Sequence, residues 1–417
     1  MTLFSIIWFA AILWGFTKKN IKYMLFITLL FMTFQCDNVI AIGGINVGPQ
    51  LLTSVVFVVK VLFNNRGKIY LPPKCAHILI TVYMLLAAVL ISCIYNGIFD
   101  EKILNICQLI IYIMCFTFIL LEKCAVDNET IYRILRKIII FLLIMGMLQL
   151  LTTMGILPLR PILKPLFYND NSTTVYFNHS GYKRIMSTFM EPSYFAGLLV
   201  GAFYYFLSLR ERWRENYVLL IATFIELLFT TSSTAYAAFA IVGMVFVLLQ
   251  DRIKIQTKIG ILVIAAVGLV ILYFGFYGLL DSAVFSKTES GSYLTRTNMN
   301  KAAYKLYLDS VWFGVGYKKA RGSSIVYSLL AETGQLGLSA YFLMNIAVMS
   351  PIITENSTHR TVSTQYIAIL FAVMSVFICQ LVACPDVDLC TYWFWMYLFA
   401  MSLKWESFQK KSKDRKP

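Results

Sequence analysis

The sequence predicts an all-α polytopic membrane protein with about 12–13 transmembrane helices and two long outer loops. Three observations carry that prediction. Hydrophobic residues make up 59% of the chain and charged ones 14%, against about a quarter in soluble domains, and the mean hydropathy is +0.72. Apolar runs recur along all 417 residues, where a soluble chain of that length would divide into two or three domains. Lys and Arg collect in alternate short loops, as expected when helices cross a bilayer and keep their basic ends on one side.

A span needs about 20 apolar residues, fewer with snorkelling flanks, because hydrocarbon offers no water to an unsatisfied backbone. The runs so defined are 2–16, 21–36, 49–63, 76–95, 103–121, 134–153, 193–209, 217–231, 233–249, 258–280, 322–349, 362–383 and 389–404. The first lacks a basic start and is followed by Thr17-Lys18-Lys19-Asn20, not by a small-residue cleavage site, so it reads as a helix and not a signal peptide. Together the runs form one transmembrane domain, 1–404, followed by a basic, disordered cytoplasmic tail, 405–417. Nine cysteines, mostly inside apolar runs and without a C-x-x-C pair, indicate neither a disulfide framework nor a metal site. Cys384 and Cys390, flanking Pro385-Asp386-Val387-Asp388, are the one pair placed to bridge.

The basic loops hold Lys18/Lys19, Arg66/Lys68/Lys74, Arg133/Arg136/Lys137, Arg210/Arg212/Arg214, Arg252/Lys254/Lys258, Arg360 and the tail. The alternate loops, around Asp37, Asn96–Glu101 and Pro385-Asp386, are neutral or acidic, which assigns the basic set to the cytoplasm. The net charge of +15 then reads as topology and attraction to anionic lipid, not as nucleic-acid binding. This phase puts the long loops 154–192 and 281–321 on the outer face, and both are basic: Arg160, Lys164, Lys183 and Arg184 in the first, Lys287, Arg296, Lys301, Lys305, Lys318, Lys319 and Arg321 in the second. Tyr293, Met299, Ala303, Tyr304 and Leu308 recur at helical spacing across Ser292–Ser310, predicting an amphipathic helix on the membrane surface.

No P-loop, G-x-S-x-G or H-E-x-x-H occurs, and no Asp-rich or D-x-D-like metal or nucleotide site is expected on either face, which argues against nucleotide-dependent chemistry. His77, His179 and His359 are too scattered for a metal centre. Two stretches stand out. From Arg184 to Ala196, a polar outer loop turns into a helix through Glu191-Pro192-Ser193-Tyr194. Proline in the first turn and an acid at the positive end of the dipole explain that pair as a helix start, but not the arginine at the membrane boundary. The second stretch pairs Gly314-Val315-Gly316-Tyr317 with the later Leu330-Ala331-Glu332-Thr333-Gly334-Gln335-Leu336-Gly337. Glu332 falls about two turns into an apolar helix, where a carboxylate is costly enough to imply a partner or a function. Locking helices through an arginine accounts for it equally well, and Gly334 and Gly337 would allow close helix packing beside it. Glu226, a third intramembrane acid, lies near a helix end at Thr230-Thr231.

The two stretches resemble the bacterial O-antigen ligase and Wzy-type polysaccharide polymerase superfamily, whose members show an R-x-x-S/T-x-x-x-E-P-S-x-F-A-like helix start and a later G-x-G followed by L-x-E-x-G-x-x-G. Arg296 occupies the place of their second loop arginine. The resemblance covers most of the chain and implies a GT-C-like architecture in a bacterial cytoplasmic (inner) membrane. It also implies an inverting-type glycosyltransferase, without metal or other cofactor, that joins polyprenyl (undecaprenyl) pyrophosphate-linked repeat units into O-antigen, capsule or exopolysaccharide. Chain-length regulator and flippase proteins would be its partners.

By the same resemblance, Arg184 and Arg296 would stabilise the leaving pyrophosphate, and Glu191 or Glu332 would take the acceptor proton or hold the arginines. Lys183, Ser193, Tyr194, Gly314, Gly316, Lys318, Lys319 and Arg321 would bind substrate, with Tyr176, Tyr182 and Tyr194 placed to stack on sugars. Ligase-type members carry a histidine between the two glycine elements, and Lys318–Ser328 contains none, which tilts the reading to a polymerase. A ligase differs only in its acceptor. A transporter or flippase for lipid-linked oligosaccharide would gather polar residues at broken helices near the midplane, whereas here they collect at the outer boundary.

Overall fold

The computed structural model describes residues 3–35, 37–42, 45–68, 70, 75–157, 184–249, 254, 256–260, 291–357 and 363–413. Its elements are α1 (Leu3–Thr17), α2 (Ile21–Phe31), β1 (Ile40–Ile42), β2 (Ile45–Val47), α3 (Pro49–Asn65), α4 (Ala76–Tyr95), α5 (Phe99–Leu121) and α6 (Asn128–Thr153). After the first long loop come α7 (Pro192–Ser208), α8 (Trp213–Phe229), α9 (Ser233–Leu248), α10 (Gly291–Asp309), α11 (Ile325–Ser357), α12 (Thr364–Val382) and α13 (Cys390–Lys413). Asn20, Asp127, Ser232 and Ser363 cap their helices by accepting backbone N–H groups of the first turn, and Pro49 and Pro192 open theirs.

The protein is an all-α polytopic membrane protein apart from the unanticipated antiparallel hairpin, in which Ile40 faces Val47. Ala76–Tyr95, Phe99–Leu121, Asn128–Thr152, Ile325–Ile352 and Thr364–Val382 are each long and apolar enough to cross a bilayer. Pro192–Ser208 and Arg210–Phe229 qualify together across an 88° bend, and α1, α2, α3 and α9 are shorter apolar helices. The expected count of about 12–13 therefore reduces to five or six full-length spans among the described residues, because several apolar runs fold as helices too short to cross alone. The expected span 258–280 lies outside the described residues beyond 260. The segment expected to be a disordered tail begins as helix, since α13 continues to Lys413. Cys384 and Cys390 are both free and buried, and Cys390 Sγ lies 3.0 Å from Tyr112 Oη, so no bridge forms.

Helix ends sort into two sets by their contacts. At the basic end, Asn65 Nδ2 donates to Leu121 O (2.7 Å), Tyr132 Oη to Asn216 Oδ1 (2.7 Å), Gln365 Nε2 to Asn128 O (2.7 Å), and Arg212 pairs with Glu129. At the other end lie the bonds of Arg184, Tyr194, Lys318 and Asp386 described below. Helices α7, α12 and α13 form the centre: α7 buries Tyr194–Ala202 without interruption, and α13 buries Thr391–Lys404. Gly197 and Gly201 admit Cys379 and Trp395 against the α7 backbone, the close approach that drives helix association where lipid is as apolar as leucine. Large apolar side chains such as Ile6, Ile7, Ile80, Ile144, Val218, Ile221 and Ile346 stay exposed on the outer helices, as a lipid-facing surface requires.

One backbone feature builds the non-basic end. Gly334 breaks α11 (φ +65°, ψ −160°), so the N–H groups of Gln335 and Leu336 cannot reach the carbonyls of Ala331 and Glu332. The segment 311–316 inserts there. Gln335 N donates to Val311 O (2.9 Å) and Leu336 N to Trp312 O (3.3 Å), while Ala331 O and Glu332 O accept from Val315 N (2.8 Å) and Gly316 N (2.9 Å). Two lost helical bonds are thereby replaced by four. From α4, Ser92 Oγ donates to Glu332 O (2.6 Å) and Asn96 Nδ2 to Gly314 O (3.0 Å). Gly334 is thus a helix break rather than the packing surface expected for another helix.

A Cβ on Gly314 (φ +65°) would sit 2.5 Å from Glu332 C and 2.6 Å from Ala331 O, whereas Gly67 (φ +73°) faces open space. Gly314→Ala should therefore destabilise the detergent-solubilised protein by roughly 1–3 kcal/mol of overpacking beyond backbone strain. Gly67→Ala should cost only that strain, about 1 kcal/mol, and the two melting temperatures make the comparison.

Candidate active site

The first expected stretch is pinned before it reaches α7. Met186 N and Ser187 N both donate to Gln149 Oε1 (2.8 and 3.0 Å), Ser187 Oγ donates to Leu142 O (2.9 Å), and Thr188 Oγ1 donates to Thr33 O (2.8 Å). Ile185, Met186 and Phe189 are buried, and Phe189 stacks on Phe195 at 5.5 Å. This apolar plug accounts for the arginine at the boundary. Arg184 emerges directly before it, with Nε on Thr230 O (3.0 Å) and Nη2 on Thr231 O (3.3 Å), carbonyls at the end of α8 that the helix itself leaves without N–H partners.

Partial burial lowers the Arg184 pKa from its ordinary value, and the like charge of Arg296 adds to that, while Tyr236 and Glu191 oppose it. Arg296 is exposed on α10. Glu191 is exposed at the N-cap of α7 and accepts a hydrogen bond from Ser193 Oγ (3.0 Å).

The second stretch delivers Lys318 and Arg321 beside the loop between α12 and α13. Lys318 Nζ lies 2.5 Å from Asp386 Oδ1 and 2.8 Å from Asp388 Oδ1; Arg321 Nη2 is 2.9 Å from Asp386 Oδ2, which also accepts from Tyr194 Oη at 3.3 Å. Burial opposes the charge on Lys318, but the Asp388, Asp386 and Glu332 carboxylates outweigh it and raise its pKa. Burial would raise the Asp386 pKa, yet Lys318 and Arg321 hold it below the usual aspartate value. Arg321 is likewise raised despite partial burial, by Asp386, Tyr194 and Glu191. Glu191 thus stands in the field of both Arg184 and Arg321. Glu332 is buried beneath, facing Lys318.

Four non-glycine residues with positive φ surround this end: Ser187 (51°), Thr231 (45°), Lys318 (58°) and Cys384 (87°). Each such conformation costs of order 1–3 kcal/mol and persists only where surrounding contacts impose it. Here those contacts include Gln149 on Ser187 and the splice beside Lys318.

Among the expected site residues, the structure brings together Arg184, Glu191, Ser193, Tyr194, Arg296, Lys318, Arg321 and Glu332. Gly314 and Gly316 belong to the splice, and Lys319 is exposed with its N–H on Gly316 O (3.1 Å). Lys183, Tyr176 and Tyr182 lie outside the described residues. Asp386 and Asp388 were not anticipated. Asp386-Val387-Asp388 does have D-x-D spacing, contrary to expectation, but both carboxylates are engaged by Lys318. Among the described residues no group of three or more His, Cys, Asp or Glu side chains is arranged to hold a metal ion.

The folded-state pKa of Asp386 lies below the ordinary value of about 3.9, so its ion pairs contribute stability in full above about pH 4, and that contribution is lost as pH falls through the lower folded value. The wild-type melting temperature should drop as pH falls below about 4; Asp386→Asn should melt lower at neutral pH and lose part of that acid dependence.

No curated protein matches the chain. The family model described as O-antigen ligase (Wzy_C) matches residues 217–342, which run from α8 through α10 and the splice into α11 and include Arg296, Lys318, Arg321 and Glu332. Over that segment the chain is similar to the O-antigen ligase family, in agreement with the superfamily resemblance of its motifs.

Proposed function

We propose that the protein is a membrane polysaccharide polymerase that lengthens a glycan carried on a polyprenyl pyrophosphate by joining it to a second lipid-linked repeat unit. One observation carries the reading: Glu191, an exposed carboxylate, stands in the field of Arg184 and Arg321 at the end of the bundle opposite the basic loops, where the charge of Arg296 also acts on Arg184. In the transfer, the bond from the donor sugar's anomeric carbon to pyrophosphate breaks, and a bond from the acceptor hydroxyl oxygen to that carbon forms. Attack from the opposite face inverts the anomeric centre. The hydroxyl proton passes to Glu191, the accessible carboxylate, and the released pyrophosphate keeps the electron pair of the broken bond. Arg184 and Arg296 offset its charge through paired N–H donors. Asp386 is the poorer base because two cations hold it ionised, so its part is to position Lys318 and Arg321. The absence of histidine from Lys318–Ser328 supports polymerase over ligase, whereas the description of the matching family favours a ligase as the second reading.

The test is a gel profile of surface glycan from cells deleted for the gene and complemented with variants. Arg184→Ala and Arg296→Ala should each lower chain formation by about 10²–10³-fold, and Glu191→Gln by about 10²–10⁴-fold. All three should leave single repeat units on the final acceptor. Long chains accumulating on the lipid carrier would establish the ligase instead, and single units trapped on the cytoplasmic face would mean a flippase.

A further inference from the structure

A polar cavity lies at the opposite, basic end, away from the candidate active site. It has a volume of about 370 Å³ and is walled by Lys19, Asn20 and Lys22 at the α1–α2 turn, by Asn64 at the end of α3, and by Glu122, Asp127 and Thr130 from the α5–α6 connection. Glu122 is its distinctive feature. The residue is only 4% exposed. One of its carboxylate oxygens accepts the Cys124 N–H (3.3 Å), and the other, Oε2, has no hydrogen-bond partner among the described residues. Asp127 is already committed, accepting both the N–H (2.6 Å) and the hydroxyl (2.8 Å) of Thr130.

Leaving a buried carboxylate oxygen unmatched costs on the order of 1–3 kcal/mol, more when the group is ionised. Burial raises the Glu122 pKa, and the Cys124 N–H, Lys404, whose Nζ is held on Leu120 O (3.0 Å), the Lys123 N–H and Lys60 together offset only part of that. A hydrogen-bonding cation at Oε2 would remove the penalty. The mouth carries the opposite charge, from Lys19 and Lys22. On α1 and α3, the helices that lead to this end, Leu13, Trp14, Leu62 and Phe63 are exposed, and Lys18 lies over the Trp14 ring at 5.4 Å, an arrangement suited to the headgroup boundary of a bilayer. Floor anion, rim cations and an apolar surround match a molecule with a primary ammonium group joined to a phosphodiester and to acyl chains.

We propose that this cavity binds the headgroup of an aminophospholipid, with the ammonium on Glu122 and the phosphate between Lys19 and Lys22. The site is separate from the proposed glycan chemistry and does not depend on it. A trimethylated ammonium cannot donate to Oε2, so the site should discriminate against choline lipids.

The full-length protein, purified in detergent and stripped of lipid, is titrated with phosphatidylethanolamine, phosphatidylcholine and phosphatidylglycerol of equal short chain length, and adducts are counted by native mass spectrometry. One tight phosphatidylethanolamine adduct is expected, at least tenfold tighter than the other two and weakened at least tenfold by Glu122→Gln. The surface pair Lys19→Gln/Lys22→Gln should weaken it similarly without changing the lipid-free melting temperature, and this pair decides the matter if Glu122→Gln does not fold. Equal binding of the three lipids, or full affinity in the lysine variant, would overturn the proposal. Glycerophosphoethanolamine binding as tightly as the lipid would replace the lipid with a soluble ligand.

Discussion

The exchange of two hydrogen bonds inside α11 for four bonds to the segment 311–316 is the interaction on which the non-basic end depends. A helix can be interrupted in an apolar environment only if each freed N–H and C=O finds another partner. Here the partner strand emerges from the surface helix α10 and continues into Lys318, so the repair of the backbone also sets where the charged residues go. Ser92 and Asn96 fasten the same junction to α4. Removing the break would leave Lys318 with no fixed relation to Asp386, Asp388 or Glu332.

Electrostatics at this end follows from that placement. Two carboxylates from one short loop and one from the broken helix surround a lysine, and the nearby arginines are shared between backbone carbonyls and Asp386. Buried charges of this kind are tolerated when mutually paired. Their pairing leaves Glu191 as the accessible acid, and its proposed role as proton acceptor rests on how the neighbouring acids are occupied.

The membrane class of the chain was plain from composition, because a lipid-facing surface admits few charges anywhere along a span. The helix start at Pro192 was similarly legible as local chemistry, whereas the start at Asp127, ahead of the expected run 134–153, was not. The grouping of Arg184, Glu191, Lys318 and Glu332 was visible as motifs, but the role of Gly334 was not. Glycine in an apolar run is compatible both with close packing and with a break, and only the carbonyl partners distinguish them. Asp386 and Asp388 escaped notice for another reason. Their partner lies 68 residues away from Asp386, and a short acidic loop between spans already has a sufficient explanation in topology. Among the described residues only five or six runs are long and apolar enough to cross by themselves, because apolar composition does not fix how far a run such as Ile21–Phe31 extends as helix.

The central position of α13 bears on how the molecule is made. It follows twelve other helices among the described residues, yet it packs against α5, α6, α7 and α12, and Tyr397 Oη reaches the Tyr112 carbonyl across 285 residues of sequence (3.2 Å). Helices inserted before α13 must therefore leave open a slot whose occupant is synthesised after them, and this part of the bundle cannot close until α13 has been translated. Loss of α13 should therefore behave as an assembly defect of the helices that surround it.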